Sequence, residues 1–246
     1  MKLAKVIQAA AGNLLDTFMP GDCPGCGEPV ENDLYRRLCE WCARGIEWIR
    51  RPFCECCGSP LPGVNTVGGD CPHCRELQPS FNSGRALFLL TGTGRNFVHG
   101  VKYHGDRSLL VDLPSLMEQS PDFRDHIEGA ILVPVPLHRR RLRVRGYNQS
   151  AWIAEALSVS GGSDVEVHFL LKRIRNTRTQ TTLSREQRMR NVKNAFALYP
   201  GKRLDKARRY VIVDDVFTTG ATLEACARVL CEAGVEQVDV AALGHG

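Results

Sequence analysis

The chain has 246 residues, a net charge of +5, 43% hydrophobic and 24% charged residues. This is the composition of an ordinary soluble globular protein, with length for one full core plus a small accessory unit. The modest net charge says less than its distribution, because the basic residues are clustered.

At the N-terminus, Leu3, Val6, Ile7, Ala10, Leu14 and Phe18 recur at helical spacing and predict a docking helix stopped by Pro20-Gly21. Gln8, Asn13 and Asp16 interrupt its apolar run, which excludes a secretory h-region and a membrane span. The only basic residues here are Lys2 and Lys5, weak support for a membrane-surface role. With no export signal, the expected location is cytoplasmic.

Nine of the eleven cysteines lie between Cys23 and Cys74, mostly as C-x-x-C pairs. In a chain without an export signal this pattern argues for metal rather than disulfides. Cys23, Cys26, Cys39 and Cys42 form one four-ligand set, and Cys54, Cys57, Cys71 and Cys74 a second. About a dozen residues separate the pairs within each set, the spacing of a zinc ribbon, and a closed four-thiolate site is structural rather than catalytic. One or two structural zinc ions are expected, replacing a core that so short a segment cannot build. A cross-braced arrangement, in which the first and third pairs share an ion, is the alternative. Cys56 reads as a free thiol, His73 as an exposed residue inside the last knuckle, and Cys226 and Cys231 as core residues of a late helix.

A linker-like patch at 78–84 divides the chain into 1–80, the N-terminal helix and cysteine-rich unit, and 81–246, where strand and helix signals alternate. That alternation predicts an α/β fold with a mainly parallel sheet flanked by helices. Strands are predicted at 86–91, 130–136, 165–171, 210–213 and 238–243. Helical regions are predicted at 98–116, with a break near Gly105, at 149–157, and at 222–233, closed by Gly234.

Between the strand at 130–136 and the helix at 149–157 lies an arginine loop holding Arg139, Arg140, Arg141, Arg143 and Arg145. Guanidinium groups so clustered suit a diphosphate, because arginine binds phosphate oxygens bidentately. Further basic stretches run through Lys172, Arg173 and Arg175 to Arg190, and from Lys202 to Arg209. These suit phosphates, nucleic acid, or both.

The most informative stretch is Val211-Ile212-Val213-Asp214-Asp215-Val216-Phe217-Thr218-Thr219-Gly220-Ala221-Thr222. An apolar strand ends in two acids, and a small, hydroxyl-rich turn opens a helix. Amides at a helix N-terminus beside threonine hydroxyls suit a phosphate, and the acids can accept hydrogen bonds from sugar hydroxyls. A Walker-type ATPase would also need G-x-x-x-x-G-K-[ST], which the chain lacks.

This stretch resembles the 5-phosphoribosyl-1-pyrophosphate (PRPP) motif of type I phosphoribosyltransferases. Paired C-x-x-C motifs, V-P-V-P-L-H at 133–138, R-G-Y-N-Q at 145–149, Q-x-x-L-S-x-x-x-R-x-x-N at 180–191 and the PRPP motif together resemble the ComF family over nearly the whole chain. The resemblance implies a type I phosphoribosyltransferase-like fold behind a double zinc ribbon. Asp214 and Asp215 would take the ribose hydroxyls and support a magnesium ion bound with PRPP. Thr218, Thr219, Gly220, Ala221 and Thr222 would wrap the 5-phosphate, and Arg139, Arg140, Arg141 and Arg145 would face the pyrophosphate. Residues 177–191 would form a lid, with Gln180, Arg188 and Asn191 as its polar contacts. The family association with natural competence implies a link to DNA uptake, with single-stranded DNA and a DNA-uptake helicase as candidate partners. The acceptor, the retention of catalysis and the oligomeric state, a dimer included, stay open. Purine transferases of this type often carry Asp where Thr218 stands, so a hypoxanthine or guanine acceptor is not expected.

Overall fold

A computed structural model describes residues 21–31, 34–61, 71–162, 164–176, 192 and 194–246. The proposed docking helix and the lid segment 177–191, with Gln180, Arg188 and Asn191, lie outside the described residues.

The cysteine-rich part contains two short helices, α1 (Glu40–Arg44) and α2 (Pro72–Leu77), each beginning just after a ligand-pair cysteine. Strand β1 (Gly84–Leu89) leads into α3 (Gly92–His99), which runs on through a π-helical turn (Gly100–His104). Gly105, at φ +68°, supplies the predicted break. A 3₁₀ segment (Arg107–Asp112), α4 (Leu113–Glu118) and α5 (Pro121–Ile127) follow. Then come β2 (Ile131–Pro134), α6 (Arg139–Arg145), α7 (Gln149–Ser160), β3 (Glu166–Val167), β4 (Leu171–Arg173) and β5 (Phe196–Leu198). The chain closes with β6 (Arg209–Phe217), α8 (Ala221–Glu232) and β7 (Gln237–His245).

Five strands form a parallel sheet in the order β1-β7-β6-β2-β3, and β4 pairs antiparallel with β5 in a separate two-stranded ribbon. The central strands are apolar on both faces, as a sheet covered on both sides requires. Alternation divides their side chains between two cores. Leu132, Val211, Val213, Ala241 and Leu243 enter one core, with Phe97, Leu113, Phe123 and Ile153 from the covering helices. Val133, Tyr210, Ile212, Val240 and Ala242 enter the other, with Leu223, Cys226 and Leu230 of α8 and with Leu171 and Phe196.

Each core also takes in one half of the cysteine-rich part. Cys23, Leu38, Cys42 and Ile46 join the first core, and Cys57, Cys71, Leu77 and Phe81 the second. The chain between the halves lies along the outer edge of β1. Trp48 bridges Phe88 antiparallel, Leu89 N donates to Glu47 O at 2.8 Å, and Ile49 N donates to Leu87 O at 3.3 Å.

Two sequence expectations change. The strand predicted at 165–171 is two elements, because β3 pairs with β2 only at Ile131 and Leu132. The next backbone donor of β2 toward β3 would be Pro134, which has no N–H to offer, and the chain leaves the sheet to make β4. The arginine loop is a helix, α6. The His138 ring accepts from Arg140 N at 3.3 Å as its N-cap, and Gly146 at φ +83° ends it. Among the described residues no helix is long and apolar enough to cross a membrane.

Candidate functional site

Strand β6 carries Asp214 and Asp215 to a cleft of about 310 Å³ and buries both, at 8% and 3% exposure. Asp214 Oδ1 accepts from Ser150 Oγ at 2.8 Å and from Asp215 N at 2.9 Å. Burial first, and then the charge of Asp215, push the Asp214 carboxyl up to about 7. Lys102 Nζ, from the π-helical turn, lies 2.6 Å from Asp215 Oδ2. That oxygen is buried and, among the described residues, makes no hydrogen bond besides this ion pair, so it has accepting capacity to spare. Burial opposes the charge on Lys102, and Asp215 more than offsets it, leaving the ammonium above the ordinary lysine range.

The turn after β6 is held by sterics. Gly220 sits at φ +72° as the N-cap of α8. A Cβ there would come within 2.7 Å of both Leu77 Cδ2 and Phe217 Cζ, so only glycine fits. Thr219 Oγ1 accepts from Ala221 N at 3.4 Å, and the 12-residue α8 points its N-terminus at the cleft. One wall is therefore backbone amides and hydroxyls of the kind that suits an anion, Thr218 to Thr222, beside two acids. The opposite wall is Arg95, His99, Lys102 and Tyr103.

All seven residues expected from the PRPP-like stretch line one cleft. The arginines do not. Arg139 and Arg140 project into solvent from α6. Arg141 is half-buried, its guanidinium pKa lowered by burial and by Arg145. Arg145 stands beside one lining residue, its guanidinium 6.0 Å from the Tyr103 ring centre and one NH 2.7 Å from Gln149 Oε1. Sequence reading missed Arg95, Lys102 and Tyr103. They sit on α3 and the turn after it, more than a hundred residues before the acids, and no local pattern marks them.

The cysteines gather as the first expectation had them, first pair with second and third with fourth, not cross-braced. The four sulfurs of each set lie within 4.8 Å of one another. Cys26–Cys39, Cys54–Cys74 and Cys57–Cys71 sulfur separations are 3.8, 3.7 and 3.6 Å. A tetrahedron with zinc–sulfur bonds of about 2.3 Å needs edges of about 3.8 Å, so both sets fit zinc. Cys56 stays outside the second set, half-buried, its thiol pushed up by burial. Cys226 is buried in the second core, as expected, and Cys231 packs against that core.

Comparison with known proteins agrees with this architecture. A double zinc ribbon domain family matches residues 14–76, and a phosphoribosyl transferase domain family matches residues 145–244. Competence protein F of Haemophilus influenzae is 31% identical over 208 residues, covering 82% of this chain and 88% of that protein. The chain belongs to the ComF family. DNA utilization protein YhgH of Salmonella typhimurium is 31% identical, covering 90% of this chain and 96% of the relative. Competence protein ComFC of Bacillus subtilis is 25% identical, over 80% and 79%. For this ComF member the two cysteine sets are zinc-ribbon sites, and the sheet with its flanking helices is the phosphoribosyltransferase fold.

Proposed function

We propose that the chain binds PRPP with magnesium in the 310 Å³ cleft and that this binding serves DNA uptake. The observation that carries the reading is the joining of Asp214 and Asp215 to the glycine-pinned turn Thr218 to Thr222 at the N-terminus of α8. The turn takes the 5-phosphate, and the acids accept the ribose hydroxyls. The same acids can hold magnesium through those hydroxyls or through water, and the ion would neutralise the diphosphate. Arg95 and Lys102 add positive charge across the cleft. Thr218 lacks the acid–base range that a purine transferase would need there. Relatives named for competence and DNA utilization support the link to DNA uptake.

Titration calorimetry with PRPP and magnesium tests this. Binding is expected for the wild type, weakened at least about tenfold in Asp214→Asn and Asp215→Asn, the loss of one charge-assisted hydrogen bond. Absence of heat from folded, zinc-loaded wild type would defeat the reading. Pyrophosphate release across candidate acceptors then separates a transferase from a ligand-responsive scaffold.

A surface beside the cleft favours a second reading, in which the scaffold also holds single-stranded DNA. Arg145 lies between the rings of Tyr103 and Tyr147, at 6.0 and 5.8 Å. Tyr147 stacks on Trp152 at 4.3 Å, and Arg107 stands 5.7 Å from the Trp152 ring. Rings alternating with guanidinium groups supply the stacking platforms that single-strand binding uses; of these rings the sequence marks only Tyr147 beside the arginine segment. Oligonucleotide anisotropy against salt is the measurement. A steep slope that flattens in Arg139→Ala, Arg140→Ala, Arg141→Ala supports it, and salt-independent binding overturns it.

A further inference from the structure

Beneath the phosphate turn lies a buried serine–histidine pair that no wall of the cleft includes. Ser59 and His245 are 3% and 5% exposed. Ser59 Oγ is 3.0 Å from His245 Nε2 and 3.2 Å from Cys57 Sγ, a ligand of the second zinc-ribbon site. The His245 ring stacks on Phe217, with centres 5.1 Å apart and planes 13° apart. Phe217 immediately precedes Thr218, and its ring closes the space beside Gly220. An unbroken line of contacts thus runs from a metal ligand to the turn that takes the phosphate.

The chemistry of the ligand set gives this line a direction. A zinc-bound cysteine is a thiolate and can only accept a hydrogen bond. The single proton of the Ser59 hydroxyl then goes to Cys57, and Ser59 Oγ is left to accept. His245 must answer with Nε2–H. Burial first, and then the nearby His73, hold His245 down at about 4, so the ring is neutral at pH 7 with one N–H to place. A Cys57 thiol, by contrast, can donate to Ser59, which then donates to Nε2 and moves the ring proton to Nδ1. Metal loading therefore selects the imidazole tautomer, and the Ser59–Nε2 hydrogen bond holds the ring on which Phe217 packs.

We propose that Ser59 and His245 are positioning residues through which the Cys54, Cys57, Cys71 and Cys74 site holds the phosphate turn in its binding geometry. The consequence for PRPP rests on the reading given above; the hydrogen-bond relay does not. Outer partners of metal ligands typically matter by about 10–100-fold, and about tenfold weaker PRPP binding is expected here for Ser59→Ala and for His245→Phe, which keeps the stack but loses the Nε2–H. Ser59→Thr, which keeps the hydroxyl, is expected to bind like wild type.

Histidine nitrogen NMR on the full zinc-loaded chain reads the relay directly. His245 is expected as the Nε2–H tautomer in wild type and Ser59→Thr, with that preference lost in Ser59→Ala. Finding Nδ1–H in zinc-loaded wild type overturns the relay. So does undiminished PRPP affinity in both Ser59→Ala and His245→Phe, or a loss of affinity that only tracks loss of zinc by metal analysis. If wild type fails to bind PRPP while the tautomer responds as expected, the ligand reading falls and the relay stands.

Discussion

The two zinc-ribbon sites brace opposite walls of one cleft, and they do so with different forces. The first reaches the segment that follows the α3 wall through backbone and charge. Asp112, buried at 2% exposure, accepts from Arg36 N at 2.6 Å and Arg37 N at 2.8 Å, and the Arg37 guanidinium pairs with Asp106 at 3.0 Å. The second reaches the turn after β6 through packing, one serine–histidine hydrogen bond and a carboxylate of α8. Leu77 fills the space beside Gly220, and Ser59 meets His245. Ser80 N and Oγ each donate at 2.7 Å to Glu224 in the first turn of α8. A wall that presents Arg95 and Lys102 is tied down by a neighbouring ion pair and by amides on a buried carboxylate. A wall that presents amides and hydroxyls is set by shape around Gly220, with Glu224 as its one charged tie to Ser80.

Removing a metal ligand breaks the comparison most severely. Cys42→Ser and Cys71→Ser are each expected to lower zinc content from two ions to one, measured by mass spectrometry under native conditions. Structural zinc contributes on the order of 10 kcal/mol to small zinc domains, so a large fall in Tm is expected of both. Only Cys71→Ser should also remove PRPP binding at temperatures where the chain stays folded. Equal effects of the two on the ligand would erase the distinction between the walls.

Gly220→Ala sharpens it. The new methyl meets Leu77 and Phe217 at 2.7 Å in a backbone conformation that disfavours Cβ. We expect a loss of about 1–3 kcal/mol in denaturant unfolding and a larger relative loss of PRPP affinity. A variant that binds as wild type would mean that the turn does not hold the phosphate.

Proton titration should set the acid pair apart from both ribbons. Asp214 has its folded pKa raised from about 3.9 to about 7, so the folded state takes up the proton. Its contribution to stability is full at acid pH and is lost as pH rises from about 4 through 7. Ligand affinity runs the other way, because a ribose hydroxyl needs the ionised acceptor. Below pH 7, affinity should fall by up to about tenfold per unit, a dependence that Asp214→Asn abolishes. Affinity that is flat between about pH 5 and 8 would count against a role for this carboxylate.

The smallest effect belongs to the partly exposed ion pair. Arg37→Met is expected to cost about 0.5–1 kcal/mol, and its effect should shrink between about 0.1 and 1 M salt. Leu77→Ala should cost about 2–5 kcal/mol with no such salt dependence. A salt-dependent Leu77→Ala would confound the two kinds of brace.

Much of this was legible in the chain because it is local. The apolar run into Asp214 and Asp215, the turn from Thr218 to Thr222, and the four C-x-x-C pairs each encode their geometry within a few residues. The alternation of strands and helices gave the parallel sheet for the same reason. What stayed hidden is long-range or end-sensitive. Lys102 meets Asp215 only because β1 and β7 bring α3 over the sheet. The arginine segment read as a loop because its apolar positions, Leu142 and Val144, are exposed at 42% and 90% and show no burial period. Its helix rests instead on the His138 cap and the Gly146 stop. β6 runs four residues past the expected 210–213, so both acids belong to the strand, and Asp214 pairs with Ala242 of β7 rather than hanging from its tip.

The strap from Glu47 to Ile49 occupies the otherwise open side of β1. A parallel sheet left with a bare outer strand offers a template to any other extended chain, including a copy of itself. Cutting near residue 80 would therefore not release a well-behaved phosphoribosyltransferase-fold half. The fragment should self-associate, and restoring the strap should disperse it.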